Sequence, residues 1–572
     1  MRAGHVSCDF GRAGPPASLA LGMNSKTVLT RAGPSQEPAH RQLLRIYQSF
    51  RPRLFASVLM ILLLPFVLRA QFTFVTNNGA ITITGYTGPG GDVVIPAVTN
   101  GLPVTDIRTN AFFNSTNISS LTIPGSISVI AYKAFTQCTG LTNVTIGNGT
   151  LSIEKFAFYY CTALRNVVIP ASVTNIDSGA FYYCFALSTI ALDPANSSYS
   201  IVDGVLFSKD QTILVLHPQA WGTSCTIPAG VKHIADYALA SCYTLTSVTI
   251  PDGVLTIGNL AFDNLFRLQS LTLPDSLVSI GFEAFEYCEG MTQLDLGHGL
   301  SSIGSYAFDS CKGLSSISIP ASVTNMGDKV FWYCTGLTSA EVAEGVTSIG
   351  NGLFYGCSKL TIVVLPNTVT SLGSNTFWIC SSLSSVTLGS AVTNVGDYAF
   401  YYCSTLPGIS LGNAVQSIGN YAFYGCSQLQ TITLPASTRI IGAEAFASCS
   451  ALTSVYFAGD APAIGSNPFI GDPATVYYLP GTAGWDPPQI SPGDPSLGVR
   501  TNRFGFNITG SSGIGATVQA CTNLSNQVWL AVRSFTVTNG PYCFADPLWL
   551  NYPSRFYRLA GRTYGGRPLA PW

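Results

Sequence analysis

The amino-acid sequence predicts a mostly β chain. It reads as a solenoid of about 15 units with a 23-residue period, followed by a small C-terminal β-sandwich. Three observations predict this. Twelve cysteines (Cys138, Cys161, Cys184, Cys242, Cys288, Cys311, Cys334, Cys357, Cys380, Cys403, Cys426 and Cys449) are separated by 23, 46 or 58 residues. The 46 skips a slot held by Leu265, and the 58 is one period plus a longer unit of 35. Apolar residues recur at −11, −8, −3, 0, +3, +6 and +8 from the Cys slot, as in Ile153, Phe158, Cys161, Leu164, Val167 and Ile169. The stretch from +3 to +8 alternates apolar and polar, as in Leu245 to Ile250, which is a strand signal. Pro or Gly often follows and ends the strand, as at Pro170, Pro251, Pro320 and Gly389.

One such unit cannot bury its apolar face alone. Stacked units form a parallel ladder around a continuous core. About sixteen strand segments lie between Val94 and Leu479, so the array should be roughly 75 Å long at ~4.8 Å per strand. Nothing in this scheme requires a metal or cofactor.

The elements follow in chain order. Residues 1–70 read as a leader, with an apolar run at 54–68 after Arg51 and Arg53, the pattern of a secretory signal. Residues 1–50 lack periodicity and suggest a start assigned too early. Residues 71–110 should form an N-terminal cap and first strand, opening with a hairpin of Phe72–Val75 and Ala80–Thr84 around Asn78-Gly79. The solenoid should occupy 111–480, with a hairpin insertion at 192–226 that projects from it. Residues 481–499 read as a Pro/Gly linker, and 500–572 as the β-sandwich.

The strand motif Leu-x-x-Val-x-Ile resembles a leucine-rich repeat, without the usual Asn or Cys after the strand. The added Ala-Phe-x-x-Cys (Ala157-Phe158…Cys161, Ala284-Phe285…Cys288, Ala422-Phe423…Cys426) resembles the BspA-like, treponemal-type leucine-rich-repeat family. The resemblance implies a secreted or cell-surface protein, adhesion or host contact, and no enzymatic activity. It implies no fixed site residues. The C-terminal segments Ala520–Leu524 and Arg555–Leu559 are similar to modules on other secreted bacterial repeat proteins.

Only 10% of residues are Asp, Glu, Lys or Arg, against roughly 25% in a typical globular chain. Residues 71–480 hold 11 basic and 23 acidic side chains, and 500–572 hold 7 and 1. An acidic solenoid argues against nucleic acid as its ligand. The expected partner is an extracellular protein or glycan, the alternatives being a purely structural envelope spacer or a polysaccharide-binding accessory protein, and no membrane span is expected in the mature chain. A slot that accepts Leu265 as well as Cys is a core slot, so the ladder cysteines should be free buried thiols. Cys521 and Cys543, both in the C-terminal domain, are the expected disulfide. No Cys/His spacing suits zinc.

The −2 slot reads Trp332, Tyr355, Trp378, Tyr401 and Tyr424 in five successive units, a candidate ligand-binding strip. Exposed aromatic strips anchor partners. The competing reading is packing of ring on ring between units. A shorter cluster comprises Tyr159, Tyr160, Tyr182 and Tyr183. The carboxylates Glu283, Glu286, Glu289 and Asp295 read as a solvated face rather than an acid–base pair, and no catalytic residue is expected.

Overall fold

A computed structural model describes residues 71–479 and 482–485, and the backbone of five C-terminal strands. The leader and residues 486–499 of the expected linker lie outside the described residues, while Trp485, near the linker's start, stacks on Tyr478 (4.7 Å). The opening hairpin forms as the Asn-Gly signal implies: Phe72–Asn77 pairs antiparallel with Ala80–Tyr86. Asn78 (φ 48°) and Gly79 (φ 79°) supply the two left-handed residues that such a turn requires.

Behind it the chain coils with one turn per repeat, and each turn has three sides. The first side is a parallel ladder of the strands that the alternating segment predicts, seventeen in all from Gly91–Val94 to Thr475–Tyr478, against about sixteen expected. Its register is 23 residues within the array, as in Val363↔Val386, but 28 at the first pair (Val93↔Leu121) and 21 at the last (Val455↔Val476), and the ladder is interrupted between Thr189–Leu192 and Ser224–Thr226. The second side is a ladder of two-residue strands, such as Asn394–Val395 against Ser417–Ile418. The third side is a stack of turns spanning the Ala-Phe-x-x-Cys motif. There, amides donate to carbonyls of the next turn, as from Phe331 to Leu353 (3.0 Å) and from Tyr333 to Tyr355 (2.8 Å). These turns need φ near +60° at slots −5 and −1, met by Lys329 (56°) and Tyr333 (50°) in one unit and by Tyr398 (57°) and Tyr402 (54°) in another. Side chains rarely adopt this conformation, and the paired amides on both sides hold them in it.

The core is built of columns. Phe262 through Phe469 form ten stacked rings at slot −3, with centroids 4.8–5.8 Å apart. Phe112, Phe135, Phe158 and Phe181 form a shorter column. The thirteen described cysteines are free and buried. The expectation for their slot was incomplete, because most of the ladder thiols also donate to a backbone carbonyl one turn back, as Cys334 Sγ does to Phe308 O (3.1 Å). The slot is thus apolar in its walls and polar at one point. Asp472 takes it in the last unit, and both its carboxyl oxygens are buried without a hydrogen-bond partner.

A column of glycines, from Gly258 to Gly465 every 23 residues, marks the corner before each turn. At Gly350 a Cβ would sit 1.9 Å from the Gly327 carbonyl oxygen. Close approach of the backbones sets this residue type.

The insertion differs from expectation. Tyr199–Val202, Val205–Ser208 and Ile213–Leu216 form a three-stranded meander, not a projecting hairpin. An Asp203-Gly204 turn divides the segment that read as one strand. The meander joins the second ladder through Ile213–Leu216 paired with His233–Ile234. It also divides the core into two clusters: Leu206 belongs to the first, and Val205 and Phe207 to the second. His217, 1% exposed, takes the Phe slot there, and Cys242 Sγ lies 3.6 Å from its carbonyl oxygen.

The C-terminal strands form two antiparallel sheets, one of Gly505–Ile508 with Tyr542–Ala545, the other of Leu530–Thr536, Gly515–Cys521 and Phe556–Gly561. Cys521 and Cys543 fall on strands of different sheets, and their side chains lie outside the described residues.

Candidate functional site

Slot −2 points outward from the turn side, because slots −3 and 0 on either side of it turn into the core. Trp332, Tyr355, Trp378, Tyr401 and Tyr424 come together there as one half-buried strip. Trp332 meets Tyr355 edge-on at 5.8 Å. Tyr355 stacks on Trp378 at 5.5 Å, Trp378 on Tyr401 at 4.1 Å, and Tyr401 on Tyr424 at 5.2 Å. The rings therefore spend much of their face area on one another. The strip is flanked by more exposed rings at slot −1, Tyr333 and Tyr402. Its first ring is capped by Lys329, whose Nζ lies 4.7 Å from the Trp332 ring and donates to Tyr306 Oη at 2.9 Å.

Slot −2 continues toward the N-terminus as Asp309, Glu286 and Asp263, an acidic run whose members sit in register with the aromatic strip. Reading by sequence neighbours missed this alignment. It grouped Glu283 and Glu286 with Glu289 and Asp295, but the structure parts them. Glu289 pairs with Lys312 (2.6 Å), and Asp295 is exposed on the strand Gln293–Asp295. The signal was the 23-residue offset itself. The solvated-face expectation holds for Glu289 and Asp295, which are exposed, but not for Glu283 and Glu286, which are half-buried: burial raises Glu286 to about 9, with Glu283, Asp263 and Asp309 adding to the shift. Burial likewise raises Glu283 to about 7, and Asp263 and Asp309 each to about 6. Beyond the acidic run, Tyr182 Oη donates to Asp263, 81 residues away in sequence. This contact closes the turn stack across the meander and joins the Tyr159, Tyr160, Tyr182 and Tyr183 cluster to it.

Among the described residues no group of three or more His, Cys, Asp or Glu side chains is arranged to hold a metal. No helix among them is long and apolar enough to cross a membrane.

The sequence profile of the family described as "BspA type Leucine rich repeat region" matches residues 102–212, 222–338 and 347–475, in six copies. Among solved structures, a leucine-rich repeat protein from Bacteroides ovatus is 29% identical over 68% of this chain and 93% of its own, with a TM-score of 0.47. A leucine-rich cell surface protein from Faecalibacterium prausnitzii is 27% identical over 68% and 94%, with a TM-score of 0.39. No curated protein is significantly similar.

Proposed function

The chain belongs to the BspA-type leucine-rich-repeat family, and from that premise we propose that it is an exported, non-enzymatic surface or secreted protein that binds an extracellular protein or glycan through its turn face. The observation that carries the reading is the unbroken aromatic strip from Trp332 to Tyr424, flanked by the exposed tyrosines Tyr333 and Tyr402. Aromatic side chains concentrate where surfaces bind. The run of Ser and Thr on the strand face, such as Ser385 and Thr387, is what strand propensity alone produces.

A purely structural role is the second reading. It is favoured by the strip's own stacking, down to 4.1 Å between Trp378 and Tyr401. The test is a glycan and extracellular-protein binding array probed with the chain and with a variant carrying Ser at Trp332, Tyr355, Trp378, Tyr401 and Tyr424. Circular dichroism first establishes that both fold. Binding lost in the variant supports the turn face. Equal binding moves the site to the strand face, the 192–226 insertion or the C-terminal domain. No binding supports the structural role.

A further inference from the structure

We propose that the turn face from Tyr333 to Ser450 binds a neutral, linear polysaccharide, with the exposed rings of Tyr333 and Tyr402 as its two stacking platforms. This rests on the binding reading above and names its ligand class.

Three observations converge. First, Tyr333 and Tyr402 are 42% and 44% exposed, unlike the half-buried strip beside them. Each lies flat on a glycine of the next turn. A Cβ on Gly356 would stand 2.7 Å from the Tyr333 ring, and one on Gly425 would stand 2.9 Å from the Tyr402 ring. One ring face is thus seated on backbone, which leaves the other toward solvent. Face-on stacking against a pyranose needs that orientation, and the mutually stacked rings of slot −2 do not offer it. Each platform also contacts two rings of slot −2, Tyr333 those of Trp332 (5.2 Å) and Tyr355 (5.6 Å), Tyr402 those of Tyr401 (4.7 Å) and Tyr424 (5.7 Å).

Second, a column of hydroxyls runs alongside at slot +1. Ser381, Ser404, Ser427 and Ser450 donate to the carbonyl one turn back at 3.2–3.4 Å. Each hydroxyl commits its proton to the array and keeps lone pairs for donors from outside. Sugar hydroxyls are such donors.

Third, slots −5, −2, −1 and +1 carry no charge between the two ends of this face; Lys329 and Glu444, both at slot −5, mark those ends, and Lys359 at slot +2 is the one cation between the platforms on the turn segment. The four slots offer nothing to neutralise an ionic polymer. They repeat every turn, so they suit a ligand that also repeats. The platforms are 69 residues, or three turns, apart, about 14 Å along the stack at ~4.8 Å per turn. An extended chain advances by about one monosaccharide per turn, so the two platforms hold rings about three sugars apart.

The test is affinity electrophoresis of the full chain in gels containing hydroxyethylcellulose, xylan, galactomannan or mixed-linkage β-glucan. Titration with the tri- and hexasaccharide of whichever polymer retains it follows. The hexasaccharide should bind at least about tenfold more tightly than the trisaccharide, because it reaches both platforms. Tyr333→Ser and Tyr402→Ser should each weaken hexasaccharide binding about tenfold, the worth of one aromatic stack. The double variant should not be retained. Ser occupies the same slot at Ser241, Ser310 and Ser448, so these variants keep a turn residue the fold already uses. No retention by any polymer, or a folded double variant that binds as the parent does, would overturn the proposal. Extracellular-matrix proteins stripped of their glycans form a parallel arm. Binding to them that disappears in the five-residue strip variant overturns the polysaccharide and leaves the binding reading standing. Absence of binding in both arms overturns both.

Discussion

Replacing Glu286 by Gln should stabilise the protein at neutral pH. The Glu286 carboxyl titrates near 4.5 when free and near 9 in the fold, where burial opposes its charge and Glu283 adds repulsion. A folded-state value above the unfolded one means that folding takes up a proton. Stability from this group is full below pH 4.5 and falls as pH rises toward 9. At pH 7 the loss is 2.5 pH units below full stability, or about 3 kcal/mol at ~1.4 kcal/mol per unit. Glu283 shares this titration, so the figure belongs to the pair. Glutamine keeps the shape and both hydrogen-bonding functions and never ionises. Glu286→Gln should therefore match the parent at pH 4, exceed it by about 2–3 kcal/mol at pH 7, and exceed it further at pH 9. Denaturant unfolding followed by tryptophan fluorescence at the three pH values measures this, and Trp332 lies two turns away. A difference that stays constant with pH, or a variant weaker than its parent at pH 9, would refute the assignment of the acidic run as buried.

Gly350→Ala should lose several kcal/mol in the same unfolding assay, because the new Cβ meets the Gly327 carbonyl oxygen at 1.9 Å and a stacked backbone has nowhere to move. His217 has its imidazole pushed down to about 4 by burial. Its contribution is therefore intact above pH 6.5 and lost as pH falls toward 4, by about 3 kcal/mol. His217→Phe should remove that acid sensitivity, as read by unfolding at pH 4 and 7. Burial raises the Asp472 carboxyl to about 7, so the last turns should loosen as pH rises through 7. Asp472→Cys should restore a thiol donor and raise amide-exchange protection of Ser454–Phe457 at pH 8. All thirteen described thiols should resist alkylation in the native protein and react together on unfolding, because each is buried.

The repeat's spacing made the fold legible before any coordinates. A side chain that returns every 23 residues must face the same way each time, so Phe158, Cys161, Val167 and Ile169 could be placed inside on pattern alone. Local backbone demands were harder to read. Tyr333, Tyr398 and Tyr402 hold left-handed conformations that their residue type disfavours, and only scattered glycines such as Gly356 and Gly425 hint at the requirement. The thiol's hydrogen bond was invisible because Leu265 in the same slot made the position read as apolar. The five-ring strip was found by the offset rule. The acidic run of Asp263, Glu286 and Asp309 was missed because carboxylates three or four residues apart drew attention away from those 23 apart.

The meander seam has a mechanical meaning. A stack in which each turn bonds only to its neighbours carries tension in series, so it parts first where its weakest junction lies. At the seam the Phe column stops at Phe181 and resumes at Phe262, His217 and Leu239 fill the gap, and the hydrophobic interior divides in two. What bridges it on the turn side is the Tyr182–Asp263 contact and the rings around it. Pulled from its two ends, the coil should lengthen in two events rather than seventeen, with the block before the seam and the block after it each giving way as a whole.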